Sequence, residues 1–346
     1  MVRTYPRIRV IGLCLLLLLA FLLDVSLGSV KIPLGDVLKT LFSSSPTDAT
    51  WTFIIKQIRL PKACTAVLAG CSLSVSGLQM QTMFRNPLAD PTALGITAGA
   101  SFGVAMVMLS SGNMATLDAI RELGLSGSWL LIAVACMGAA IVMALVLVLS
   151  SRLRDNVLML VVGIMIGSLT MAIIGIWQYF SSPEQIKEYL LWTFGSLGGV
   201  TGSQLVSLSS VTVIGLIMAW FSSKMLDALL LGENYARSMG LNPKRARLVI
   251  IISSSLLSGS ITAFCGPIGF IGIAVPHIAR QLFHSASHRV LVPACCLVGT
   301  LMLLLCDIVS QLPGNQAVLP INIITALIGA PVVIVLLLRQ KNINTY

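Results

Sequence analysis

Ionisable residues are so rare along this chain that they divide it into long charge-free runs, at 63–84, 91–117, 123–151, 156–183, 189–223, 248–279, 290–306 and 308–338. About 20 apolar residues cross the hydrocarbon core of a bilayer as a helix, and a helix satisfies its own backbone there. The pattern therefore predicts an all-α, polytopic membrane protein with about ten transmembrane helices. They fall at roughly 8–27, 60–82, 92–111, 129–150, 157–178, 203–222, 247–265, 268–283, 290–307 and 320–338. The 248–279 run is too long for one span, and Gly266-Pro267 breaks it into two. Residues 1–346 read as a single transmembrane domain. Its first apolar stretch, IGLCLLLLLAFLL after the basic MVRTYPRIRV, has the layout of a signal peptide as well as of a first span. The retained helix is the reading adopted, because the later spans are consistent in direction without cleavage.

Composition and charge sharpen this picture. Hydrophobic residues make up 56% of the chain and charged residues 10%, against about 25% charged in a soluble protein, so a soluble globule is excluded. The net charge of +10 comes with no basic stripe interleaved with aromatics, which argues against nucleic acid as a partner. Placing the N-terminus in the cytoplasm leaves only Lys31, Lys39, Lys56, Arg59, Lys62, Arg121 and Lys187 outside, of 22 Lys and Arg. The positive-inside rule then puts both termini in the cytoplasm. The eight cysteines lie in apolar runs without CxxC spacing and read as small buried hydrophobes.

Within the spans only Arg9, Asp24, Lys62, Arg247, Arg280 and Asp307 are charged, all near span ends. Proton- or ion-coupled carriers keep such groups inside the bundle, so an ion-gradient-driven carrier is the less favoured energy class. The chain has no G-x-x-x-x-G-K-[ST] loop, no H-E-x-x-H and no His and carboxylate cluster. Neither ATP hydrolysis nor metal chemistry can be assigned to it, and it is read as a non-enzyme without a cofactor or metal of its own. His277 and the 15 methionines read as packing residues.

Three local patterns stand out. The polar segment 224–247, KMLDALLLGENYARSMGLNPKRAR, holds a short helix between Gly232 and Gly240, with Glu233 at its positive end and Asn242-Pro243 turning the chain afterwards. Composition leaves it open as a lever or as a solvated loop. Gly163, Gly167 and Thr170 share one small, polar helix face, suited either to a permeation path or to close helix packing. Leu68-Ala69-Gly70, Gly77 and Pro87 recur 189 residues later as Leu257-Ser258-Gly259, Gly266 and Pro276. The two copies start with spans of opposite direction, which is the pattern of an inverted repeat.

The stretches RLPKACTAVLAGCSLSVSGLQMQTMFRNPLADPTALGITAGA, LGENYARSMGL, GPIGFIGIAVPHIARQLF and LPINIITALIGAPVVIVLLLR resemble the FecCD-type permeases, membrane subunits of ABC importers for iron-siderophore complexes, haem and cobalamin. The resemblance runs from about residue 50 to 340. It implies a permease subunit without enzyme activity in the bacterial cytoplasmic membrane, paired as a homodimer with the path between subunits. It further implies two cytoplasmic ATP-binding subunits, which carry the ATP and Mg, and an extracytoplasmic substrate-binding protein. By the same resemblance Gly232, Glu233, Ala236, Arg237 and Gly240 form the ATPase coupling element. Arg59 and Lys62 match the basic positions that dock the binding protein, with helix anchoring as the other reading, and Gly163, Gly167 and Thr170 line the path. Many relatives carry a further docking arginine where this chain has Gln311. Iron chelate is the expected cargo and cobalamin the alternative.

Overall fold

Each apolar run closes its backbone hydrogen bonds on itself. The computed structural model describes residues 5–28, 30, 32–42, 48–92, 94–110, 127–150, 156–311 and 318–341, and its regular structure is helical. The elements are α1 (Tyr5–Ser26), α2 (Leu34–Phe42), α3 (Ala49–Phe53), a π-helical turn (Ile54–Arg59), α4 (Leu60–Met83), α5 (Ile96–Ser110), α6 (Gly127–Ser150), α7 (Asn156–Tyr179) and α8 (Pro183–Thr193). They continue as α9 (Gly202–Phe221), α10 (Ser223–Leu231), α11 (Glu233–Ser238), α12 (Pro243–Cys265), α13 (Ile271–Phe283), α14 (His288–Ser310) and α15 (Ile321–Lys341).

Seven stretches, in α1, α3–α4, α6, α7, α9, α12 and α14, are long and apolar enough to cross a bilayer, and α5 and α15 carry shorter apolar stretches. With the 13-residue α13, these match the ten expected spans. Two start later than the hydropathy pattern suggests. Turns at 84–85, 87–88, 91–92 and 94–95 precede α5, with Gly95 at φ 77°. Ahead of α13, Gly266 and Phe270 take φ 74° and 69°. The amphipathic α2 and α8 do not show up as hydrophobic runs. Helix α8 is instead written in its cap: the Ser182 hydroxyl accepts from Gln185 N, the Gln185 side chain accepts from Ser182 N, and Pro183 follows.

Helix α4 runs through the middle of the bundle, packed on α9, α12, α13 and α14. Lipid is as apolar as leucine, so close approach and hydrogen bonds hold membrane helices together. A Cβ on Gly70 of α4 would fall within 2.6 Å of the Gly299 carbonyl carbon of α14, so these backbones touch. Ser74 donates to Cys295 O of α14 at 2.9 Å, Gln79 Nε2 donates to Ser253 Oγ of α12 at 2.9 Å, and Ser76 pairs with Ser254.

The internal echo has a structural counterpart. Helices α4 and α12 are antiparallel: Lys62 at the start of one and Gly266 at the end of the other both lie at the Gly195–Gly198 segment. Helix α4 packs on α13 and α14, while α12 packs on α5 and α6. Each copy thus leads with a helix that embraces the two helices following the other copy's leader. Gly70 meets Gly299 and its echo Gly259 meets Cys136 of α6. The other two pairs are not equivalent: Gly77 lies inside α4 against Gly272 while Gly266 ends α12 beside Gly195, and Pro87 lies in a turn while Pro276 lies inside α13.

The bundle has two distinct ends. At one, Arg9 of α1 bonds Leu282 O and lies 3.1 Å from His284 Nδ1, close to α10 and α11. At the other lie Lys62, Asp307 and the end of α1. Helix α15 starts at the Lys62 end, where Ile321 N donates to Gly195 O, and runs back. Helix α1 therefore begins, and α15 ends, on the side that carries α11.

Candidate functional site

At the α11 end, Gly232 at φ 125° breaks the chain between α10 and α11, and Gly240 at φ 79° ends the turn after α11. Asn242 then caps α12, accepting from Lys244 N at 3.0 Å and Arg245 N at 3.3 Å. Ala236 is fully buried in a cluster with Met80, Phe84, Leu226, Leu229 and Ala246. Tyr235, Arg237 and Met239 are exposed, and a shallow depression beside them is lined by Arg237, Gly240, Leu241, Asn242, Pro243 and Lys244. Glu233 opens α11. The structure thus brings the five residues singled out here into one short element with a glued inner side and an open outer side.

Sequence reading missed what holds this element. The stretch ahead of Gly232, which composition leaves open as a loop, is the nine-residue α10, bonded to α14 and to the end of α4. Asp227 Oδ1 lies 2.6 Å from His288 Nδ1 and accepts from His288 N at 2.9 Å. His288 Nε2 lies 2.7 Å from Thr82 Oγ1 at the end of α4. Arg85, just beyond α4, donates through Nε and Nη2 to Leu229 O at 3.1 and 3.0 Å. Only the isolated acid in an apolar LDALLL run could have signalled this.

At the Lys62 end, Arg59 and Lys62 are committed to the protein itself. Arg59 is 7% exposed. Its Nη1 donates to Val25 O at 3.1 Å and Ser26 O at 2.7 Å, and its Nη2 donates to Val30 O. It therefore caps the C-terminus of α1, the favoured place for a cation. Lys62 pairs with Asp307 at 2.9 Å, the carboxylate being 2% exposed. Gln311 donates to Asp24 Oδ1 at 2.9 Å and Asp307 Oδ2 at 3.2 Å, so one neutral amide bridges two carboxylates.

On α7, the Gly163–Gly167–Thr170 face lies inside the chain. A Cβ on Gly95 would stand 3.1 Å from Gly163 O and 3.2 Å from Gly167 N, and Gly167 also faces Ala98. Thr170 is buried and donates to Ile166 O of its own helix at 2.8 Å. The structure thus places Gly163 and Gly167 at a packing seam against the start of α5, with Thr170 buried one turn further along. The face that α7 leaves open carries Val161, Ile164, Met165, Leu169, Ile173 and Ile176.

The remaining polar groups serve the scaffold. His277 bonds Ile273 O one turn back at 3.0 Å. Asp90, in the turn before α5, is buried against Gly272 and accepts from Thr92 N at 3.2 Å; burial pushes its carboxyl up to about 6. Among the described residues no group of three or more His, Cys, Asp or Glu could hold a metal ion.

The sequence matches the FecCD transport family over residues 16–339. The hemin transport system permease protein HmuU of Yersinia pestis is 34% identical over 340 residues, covering 98% of both chains. The vitamin B12 import system permease protein BtuC of Salmonella typhi is 35% identical over 331 residues, covering 95% of this chain and 94% of that one. A solved structure described as an inward-facing conformation of a metal-chelate type ABC transporter superposes with a TM-score of 0.78 at 29% identity, over 97% of this chain and all of that one. A family match over residues 16–339 and relatives 34–35% identical across nearly the whole chain lead to one conclusion: the chain belongs to the FecCD transport family.

Proposed function

We propose that this chain is the permease subunit of an ABC importer that brings iron chelates, siderophore or haem, into the bacterial cytoplasm. The observation that carries the reading is the two-sided α11, whose Ala236 is buried in the bundle while Tyr235, Arg237 and Met239 are presented outward. An element so built transmits force from a partner on its open side to the helices on its glued side. The partner is a cytoplasmic ATPase that binds ATP and Mg, since no nucleotide loop exists in this sequence. Gly232, Glu233, Arg237 and Gly240 make the contact while Ala236 seats the element on the bundle, and ATP-driven closure of two such ATPases rocks a pair of permeases between outward and inward access.

In this reading the α11 end, with both termini, is cytoplasmic, which places 224–247 and most of the Lys and Arg there. A substrate-loaded binding protein docks at the Lys62 end. Arg59 and Lys62 serve docking through the backbone and helix ends they hold. The path lies between two copies. Gly163, Gly167 and Thr170 serve it by seating α7 on α5, which frees the Met165 and Leu169 face to meet the path and the second copy.

Cobalamin is the second reading, favoured by the 35% identity to a vitamin B12 permease. The test is uptake into vesicles holding the permease with its ATPase and carrier, fed hemin, ferric siderophores and cyanocobalamin in parallel. ATP-dependent uptake of hemin or a ferric siderophore is the expected result, and uptake of cyanocobalamin alone would replace the iron reading with the second one. Uptake that continued without ATP on a proton gradient would end both.

A further inference from the structure

A force applied at α11 reaches the bundle through the buried Ala236 and through what fastens its neighbours. Gly232, at φ 125°, joins α11 to α10 through a single flexible residue, so α10 is the first rigid body in line. Helix α10 is held at two points, and both lead to the last turn of α4. Asp227 bonds the His288 ring and backbone, and that ring reaches the Thr82 hydroxyl. His288 is 1% exposed and Thr82 equally buried, so water does not compete for the bond between them, while the Asp227 carboxylate on the other side of the ring is 37% exposed. The ring spans the gap whatever its charge: Nδ1–H serves the carboxylate, and Nε2 either accepts from the Thr82 hydroxyl or donates to it. The second point is Arg85, whose guanidinium grips Leu229 O at the C-terminus of α10.

The local backbone agrees with such a role. Helix α4 ends with Asn86 N donating to Gln81 O and Arg85 N to Thr82 O, and Arg85 takes φ 47°. That turn ordinarily uses glycine, and a longer side chain is strained there. An arginine in that position directs its guanidinium at α10. Helix α4 in turn is tied to α14 through Gly70–Gly299 contact and to α12 through Gln79–Ser253, so displacement of its end moves the centre of the bundle.

We infer that Asp227, His288 and Thr82, together with Arg85, form the fastening that passes motion of α10 and α11 into α4. They are positioning residues, touching neither substrate nor nucleotide, and the inference rests on the coupling role proposed for Gly232 to Gly240. Two measurements test it on the full chain in lipid nanodiscs and in the assembled importer. In Thr82→Val, which keeps shape and loses the hydroxyl, and in Asp227→Ala, amide exchange across 223–231 rises about tenfold, the worth of one buried hydrogen bond. Thr82→Ser restores protection. In the importer, labelled hemin or cyanocobalamin taken up per ATP hydrolysed falls about fivefold or more in the first two variants, the range of a site-to-site coupling energy, and recovers in Thr82→Ser.

Unchanged exchange in both variants overturns the fastening. Raised exchange with unchanged uptake per ATP, while a Glu233→Ala, Arg237→Ala double variant loses it, leaves the coupling helix standing and refutes transmission through these residues. If the double variant also keeps the uptake ratio of the wild type, the coupling reading itself falls and takes the fastening with it.

Discussion

Three carbonyl oxygens around the end of α1, those of Val25, Ser26 and Val30, converge on the guanidinium of Arg59. Buried carbonyls left without a donor are costly, and each bond to a charged donor is worth more than a neutral one. Arg59→Ala is therefore expected to destabilise the protein by about 3 kcal/mol, seen as a lower thermal unfolding midpoint in detergent. An unchanged midpoint would show that these bonds are dispensable. Asp90 gives a pH-dependent counterpart. Burial raises its carboxyl from 3.8 to about 6, so the folded state holds the proton more tightly than the unfolded chain. Its contribution is complete below about pH 4 and is lost as the pH rises through 6, on the order of 3 kcal/mol in all. Asp90→Asn, which cannot ionise, is expected to flatten the fall in unfolding midpoint between pH 5 and 7; the same slope in wild type and variant would contradict this origin.

Among the elements, α4 shows how the bundle holds together without a hydrophobic force between helices. Its glycines let α13 and α14 approach to backbone contact, and its serines and Gln79 bond α12, so dispersion and short hydrogen bonds act. Gly70→Ala introduces a methyl group where the Gly299 backbone already stands, and overpacking of this kind costs about 1–3 kcal/mol. The expected result is a lower unfolding midpoint together with greater exchange in α4 and α14, and a variant as stable as the wild type would show that the helices separate freely. The same physics explains why the small face of α7 was ambiguous in the sequence. A row of Gly and Thr is equally suited to a lumen and to a neighbouring helix, and the position of Gly95 decided for the neighbour. Helix α10 was hidden for a related reason: its LDALLL stretch looks like the tail of α9, and the break at Ser222 is one residue long.

Over the molecule as a whole, number and type of elements follow from solvent. Backbone groups in hydrocarbon must be satisfied locally, so the charge-free runs of this chain determined ten helices and their approximate ends without reference to any partner. Glycine and asparagine signals likewise marked the short helix at 232–240, because capping is local chemistry. Side-chain partners were a different matter. Arg59 and Lys62 carry the same charge whether exposed or buried, and only the folded chain brings α1 and α14 alongside to consume it. Thr82 and His288 stand 206 residues apart and Asp227 and His288 stand 61 apart, so no periodicity could join them. What the sequence determined by itself is what each segment does with its own backbone; which side chains meet was left to the tertiary structure, because those meetings depend on how helices distant in the chain pack against one another.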